Sequence, residues 1–303
     1  MNNIIAVLTQ NIVPIFIVAG FGYALQRWAG LNKQTLSRAV FYCLSPCLVF
    51  SSLVGTQLTG NELLGLAGFT VFNVLTMGVL GWVAAKVMRL GRTETVALLV
   101  MVMFVNGGNY GLTLNHLRYG DPGLARAVVF YTTSTVILYT FGIFLASTGQ
   151  LTWRQALARL WRMPPIYAAV LAILVYSFQI TLPTSLLRGI EVAGTGAIPV
   201  MLLVLGMQMA DLQGRATLRL ALPTITLRLL IAPLIAMGMA LLLGLEGLGR
   251  STSIIEASMP PAVFTIILAT EFDLQPSAVT SIVVVATLLS PLTLAAMITF
   301  LGL

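Results

Sequence analysis

Apolar residues fall into ten runs along the chain, at roughly 4–26, 35–54, 62–88, 95–117, 123–146, 163–180, 184–209, 216–244, 251–271 and 275–302, separated by short polar connections. A helix crossing the hydrocarbon core of a bilayer needs about 20 apolar residues. The pattern therefore predicts an all-α polytopic membrane protein with ten transmembrane helices. Two runs are interrupted. The fourth contains Asn106-Gly107-Gly108-Asn109-Tyr110-Gly111, and the ninth contains Ser258-Met259-Pro260-Pro261.

Composition narrows what such a chain can do. Of 303 residues, 58% are hydrophobic and 8% charged, with mean hydropathy +0.97, against about a quarter charged in soluble domains. Ten spans would use roughly two thirds of the chain, which leaves no room for a soluble catalytic, nucleotide-binding or DNA-reading domain. The net charge of +7 does not point to nucleic acid, because the basic residues sit in short connections where they orient a membrane protein. The odd-numbered connections hold Arg27, Lys33 and Arg38; Lys86, Arg89 and Arg92; Arg154, Arg159 and Arg162; and Arg215 and Arg219. The even-numbered ones hold only Arg118, Arg126, Arg188 and Arg250. By the positive-inside rule the odd connections are cytoplasmic and both termini lie outside, in the cell (inner) membrane. The first apolar stretch continues to Tyr23, too long for a signal-peptide core, and is expected to be retained. Cys43 and Cys47, four apart in an apolar run, suit stacked helical neighbours better than a disulfide or a zinc site. No metal and no cofactor is implied.

The longest basic connection, from Gln150 to Met163, reads as an amphipathic interfacial stretch, with Trp153, Leu157, Leu160 and Trp161 opposed to its arginines. It divides the chain into a first five-helix repeat over 1–149, a linker over 150–162 and a second repeat over 163–303. Pro46 and Pro199 each lie in the second run of their half. Pro46 precedes Asn106 by 60 residues, and Pro199 precedes Pro260 by 61. An odd number of spans per half inverts the second copy, a transporter signature.

Asn and Gly at membrane depth free main-chain groups, which is tolerated only beside protein or a watery cavity. Pro260 and Pro261 likewise deprive carbonyls near Ile255 to Ala257 of their helical donors. Two such breaks facing each other would offer half-helix N-termini to an anion and loose carbonyls to a cation. Asn106, Gly107, Gly108, Asn109, Tyr110, Met259, Pro260 and Pro261 are thus the candidate substrate site, with packing kinks as the plainer alternative. Glu256, inside an apolar run, is either a proton or cation site or a cap at the start of its helix. Asn73 and Gln208 are polar residues for a path or for interhelical hydrogen bonds, and His116 is expected at the outer interface. Arg228 is a cation at depth, open to pairing with a carboxylate, to snorkelling, or to contact with an acidic substrate. The sequence contains no His-Glu-x-x-His, no Gly-x-Ser-x-Gly and no intramembrane aspartate pair, so an enzyme is not expected.

Several stretches in this order resemble the auxin efflux carrier family, whose bacterial members are small permeases and whose plant members export auxin. They are Asn106-Gly107-Gly108-Asn109-Tyr110-Gly111-Leu112 followed by Tyr119-Gly120, Met259-Pro260-Pro261-Ala262-Val263 leading to Ala269-Thr270-Glu271-Phe272, Phe41-Tyr42 ahead of Pro46, Ile198-Pro199 ahead of Leu205-Gly206, and Leu289-Ser290-Pro291-Leu292. The resemblance implies a fold like that of bile-acid/sodium symporters, with crossed, broken fourth and ninth helices. Asn106 matches the family asparagine at the first crossing, and Pro260 the proline at the second. Spans three to five and eight to ten would form a moving, elevator-type transport domain, while spans one, two, six and seven, with their prolines Pro46 and Pro199, would form the scaffold and a homodimer contact. One departure is Gly111-Leu112-Thr113, where the family commonly has Gly-x-Pro.

These readings together describe a secondary carrier, working by alternating access, for a small organic anion such as a carboxylate or an auxin-like acid. The anion would rest against Asn106, Asn109 and the helix ends near Pro260. An anion leaving a negative cytosol gains about 2.3 kcal/mol per 100 mV, so efflux needs no co-ion. Sodium- or proton-coupled symport through Glu256 and a membrane ligand sensor that moves nothing are the alternatives.

Overall fold

The computed structural model describes residues 4–55, 58–147, 163–210, 218–300 and 302. The linker over 150–162, with its three arginines, and Arg215 lie outside the described residues. Eleven helical segments run through the rest: α1 (Ile4–Trp28), α2 (Lys33–Val54), α3 (Gly60–Val87), α4 (Arg92–Met103), α5 (Gly107–Ala146), α6 (Pro164–Ser177), α7 (Thr184–Met209), α8 (Leu218–Leu242), α9 (Gly247–Ala257), α10 (Phe264–Glu271) and α11 (Pro276–Phe300). Among the described residues, seven of these (α1, α2, α3, α5, α7, α8 and α11) are long and apolar enough to cross a membrane. The described residues are thus all-helical and the protein polytopic, and large side chains such as Phe21, Phe72, Trp82 and Leu234 are exposed on its outside, as on a lipid-facing surface.

The fourth and ninth apolar runs are both split, but the first split is displaced from its expected place. The chain leaves helical geometry at Phe104 (φ −112°, ψ 125°) and is extended or irregular to Asn106. Gly107–Gly111, expected to stop the helix, instead forms a widened π turn that opens α5. Glycine has no side chain to obstruct that turn, and its position is explained by what packs against it below. The fourth and fifth runs also follow one another without a loop, and the chain reverses within α5 at Gly120, whose φ of 64° and ψ of −158° are open to glycine and costly for other residues.

Prolines in three helices are accommodated by a common device. The widened turns Leu8–Ile12, Val40–Leu44 and Thr226–Ile231 end two residues before Pro14, Pro46 and Pro233. A proline ring clashes with the carbonyl four residues back and offers it no N–H, and an expanded turn relieves both without breaking the helix. Pro199, paired with Pro46 by sequence position, sits instead inside α7 with no widened turn around it.

Two apolar cores follow. One gathers side chains from α4, α8, α9 and α11 around the helix breaks, and the other fills the space among α2, α6, α7 and the Leu124–Val129 part of α5. Helices α1 and α7 cross in close contact through reciprocal glycines. A methyl group placed on Gly22 would strike the main chain of Leu203, and one on Gly206 would strike that of Ala19. Without a hydrophobic drive inside lipid, such backbone approach supplies the packing that holds helices together. Gly206→Ala should therefore cost about 1–3 kcal/mol through forced separation and lower the thermal unfolding midpoint of purified protein. Gly196→Ala, on the same helix but with open space around it, should not lower the midpoint.

Candidate functional site

The two interruptions meet. Val105 and Pro261 form an antiparallel bridge, the Asn106 N–H donates to the Pro260 carbonyl at 2.9 Å, and the Ala262 N–H donates to the Phe104 carbonyl at 2.9 Å. Each extended stretch therefore satisfies the other, which answers the cost of freeing main-chain groups at this depth. Helices α5 and α10 start beside this bridge. The first N–H groups of a helix have no acceptor within it, and the N-terminus carries the positive end of the helix dipole.

A cavity of about 590 Å³ lies against the bridge. Asn106, Gly107, Gly108 and Asn109 line one side and Ala262, Val263 and Phe264 another. Asn106 is buried, yet its side-chain Nδ2 has no hydrogen-bond partner. Aromatic walls enclose the space: Tyr139 stacks on Phe41 with ring centres 6.0 Å apart and packs on Phe264 at 4.8 Å. The Tyr131 ring covers Gly108, where an added methyl group would approach it to 2.9 Å. Ser134 and Thr135 add hydroxyls, and Arg38, Gln208 and Glu271 complete the lining.

Not every candidate residue reaches this cavity. Tyr110 is buried and turned edge-on to Phe16, at 5.9 Å. Met259, Pro260 and Pro261 shape the crossing through their main chain but are absent from the lining. Asn73 is buried within α3, its Nδ2 without a partner, and also stands off the cavity. Gln208 does line it. His116 is half-exposed beside Asp121, at 3.5 Å, next to the turn at Gly120.

Glu256 does not cap a helix N-terminus, because α9 begins at Gly247 and Glu256 is its penultimate residue. It is wholly buried behind the first break, where Oε1 accepts from Asn115 Nδ2 at 3.2 Å and Oε2 has no partner. A methyl group on Gly107 would sit 2.7 Å from Oε2, and one on Gly111 would overlap the carboxyl group. The glycines of the first break thus make room for a carboxyl group from the second.

Arg228 does not snorkel, and among the described residues it pairs with no acid. The widened turn Thr226–Ile231 aims it inward, where it is wholly buried. Its Nη1 donates to the Val102 carbonyl at 3.0 Å, and its Nη2 donates to the carbonyls of Ala257 and of Met259, the latter at 2.9 Å. These are carbonyls at the ends of α4 and α9, including one from the stretch that proline was expected to leave unpaired.

The tyrosines and hydroxyls of the lining escaped the sequence reading. The run Tyr131-Thr132-Thr133-Ser134-Thr135 inside an apolar helix was the available signal. Far from the break along α5, Asn11 on α1 donates to the Leu117 carbonyl at 3.5 Å and accepts from Arg118 at 3.4 Å, tying α1 to α5.

The sequence profile of a family described as membrane transport protein matches residues 7–298. An uncharacterised transporter of Methanothermobacter thermautotrophicus is 29% identical over 288 residues, covering 93% of this chain and 94% of its own length. An uncharacterised transporter of Methanocaldococcus jannaschii is 22% identical over 295 residues, covering 94% and 95%. With nearly its whole length matched, the chain belongs to the membrane transport protein family, that of the auxin efflux carriers.

Proposed function

We propose that this chain is a secondary carrier that moves a small organic anion, a carboxylate, by alternating access at the helix crossing. The observation that carries the reading is Asn106: a buried amide donor without a partner, beside the N-terminus of α5, lining the cavity. A carboxylate oxygen would complete that donor and meet favourable helix dipoles. The aromatic walls suit the apolar body of an auxin-like acid.

Ten crossings in two inverted halves fit the same observations. Each half contributes one split helix, α4 with the start of α5 and α9 with α10, and the two splits bond to each other. In this arrangement α1, α2, α6 and α7 are the scaffold and the homodimer contact, and the other helices move. Arg38, Gln208 and Glu271 adjoin the odd-numbered connections, so the cavity opens to the cytoplasm and both termini lie outside. The bonds from Asn11 to Leu117 and Arg118 close the opposite side.

A coupled reading has one observation in its favour, the unpartnered Oε2 of Glu256 against the first break. Uptake of labelled carboxylates into liposomes under an imposed potential tests the main reading, and binding without potential-dependent flux would replace the carrier with a sensor. In that assay Asn106→Ala should lower flux about 10–100-fold, the loss of one charge-assisted hydrogen bond, with the unfolding midpoint retained. Unchanged flux would remove Asn106 from the site. Flux should also be indifferent to imposed sodium and pH gradients in both the native protein and Glu256→Gln. A gradient-driven rise in the native protein that the variant loses would establish coupling through Glu256.

A further inference from the structure

We infer that the Arg228 guanidinium is a tethered cation that fills the cation position of the crossing, bridging the carbonyl ends of α4 and α9 where a dissolved ion would otherwise be needed. Three observations converge on this. The carbonyls of Val102, Ala257 and Met259 come from both broken segments and converge on two nitrogens of one side chain. Arg228 is the largest wholly buried side chain among the described residues. Among those residues no salt bridge joins it to an acid, and Glu256, adjacent in sequence to Ala257, bonds to Asn115 instead.

Chemistry explains why a cation belongs there. Helix C-termini carry unpaired carbonyls and the negative end of the dipole. Here two such ends face one another away from water, a ligand set of hard neutral oxygens of the kind that holds an alkali cation. A guanidinium spreads its charge over a planar fork that reaches carbonyls in different directions, whereas an ammonium is a point charge. The widened turn in α8 directs the side chain to the crossing. As a covalent part of α8 this charge cannot dissociate, so it ties α8 to both breaks and leaves no stoichiometric ion to be carried at these carbonyls. That consequence for coupling rests on the carrier reading, whereas the occupancy itself does not.

Thermal unfolding of the purified protein in choline chloride tests the occupancy without any transported anion, so its failure is distinguishable from failure of anion flux. Arg228→Ala should unfold about 5–10 °C below the native protein. Methylguanidinium, and sodium or potassium at constant ionic strength, should restore the midpoint saturably at millimolar concentration. The native protein should show no such gain from those cations. An Arg228→Ala midpoint equal to the native one, or a loss that no cation recovers more than it shifts the native protein, overturns the proposal. If Arg228→Ala does not fold, Arg228→Lys and Arg228→Met decide: the charged variant must unfold at the higher temperature, and an equal or reversed order overturns the proposal.

Discussion

The main chain must be paired wherever water is excluded, and at the centre of this protein it is paired across two separate interruptions. A helix that stops inside hydrocarbon exposes donors at one new end and acceptors at the other. The bridge between Val105 and Pro261, with its flanking bonds from Asn106 to Pro260 and from Ala262 to Phe104, satisfies the extended stretches. It leaves the helix ends themselves, and these divide by polarity. The N-terminal ends of α5 and α10 adjoin a cavity, whereas the C-terminal ends of α4 and α9 turn to Arg228. One crossing therefore separates a positive aspect that faces a cavity from a negative aspect occupied by the chain's own charge.

The same crossing explains residues that otherwise look misplaced. Three glycines follow Asn106, and their absent side chains admit the Glu256 carboxyl group and the Tyr131 ring. Burying that carboxyl group with a single donor, Asn115, carries a desolvation cost. Asn106 carries a smaller cost of the same kind. Both are buried polar groups with unused hydrogen-bonding capacity beside the crossing.

Much of this was legible in the order of residues. Proline lacks an N–H wherever it occurs, so Pro260 and Pro261 announced a break, and the Asn-Gly run announced another near Asn106. The exact edge of the first break was not legible, because glycine tolerates both a stop and a wide turn. The choice fell to Glu256, 145 residues beyond Gly111 in sequence. Arg228 was visible as a charge at depth, but periodicity in α8 does not report a widened turn, and the turn is what aims the guanidinium. The cavity walls were harder still: Tyr131 and Tyr139 on α5, Phe41 on α2 and Phe264 on α10 converge only once the chain has reversed at Gly120.

Polarity division also determines which contacts of the molecule are costly to break. The crossing is held by main-chain bonds, by Glu256 against its glycines and by Arg228 from a third helix, so α4, α5, α8, α9 and α10 are joined at their centre. Breaking it would expose four helix ends to hydrocarbon at several kcal/mol per unsatisfied group. By contrast, α1 meets α5 at the far end through two long polar bonds around Asn11, at 3.4 and 3.5 Å, and bonds at that distance are weak. The bonds within the crossing are therefore the ones whose loss would leave main-chain groups unpaired away from water.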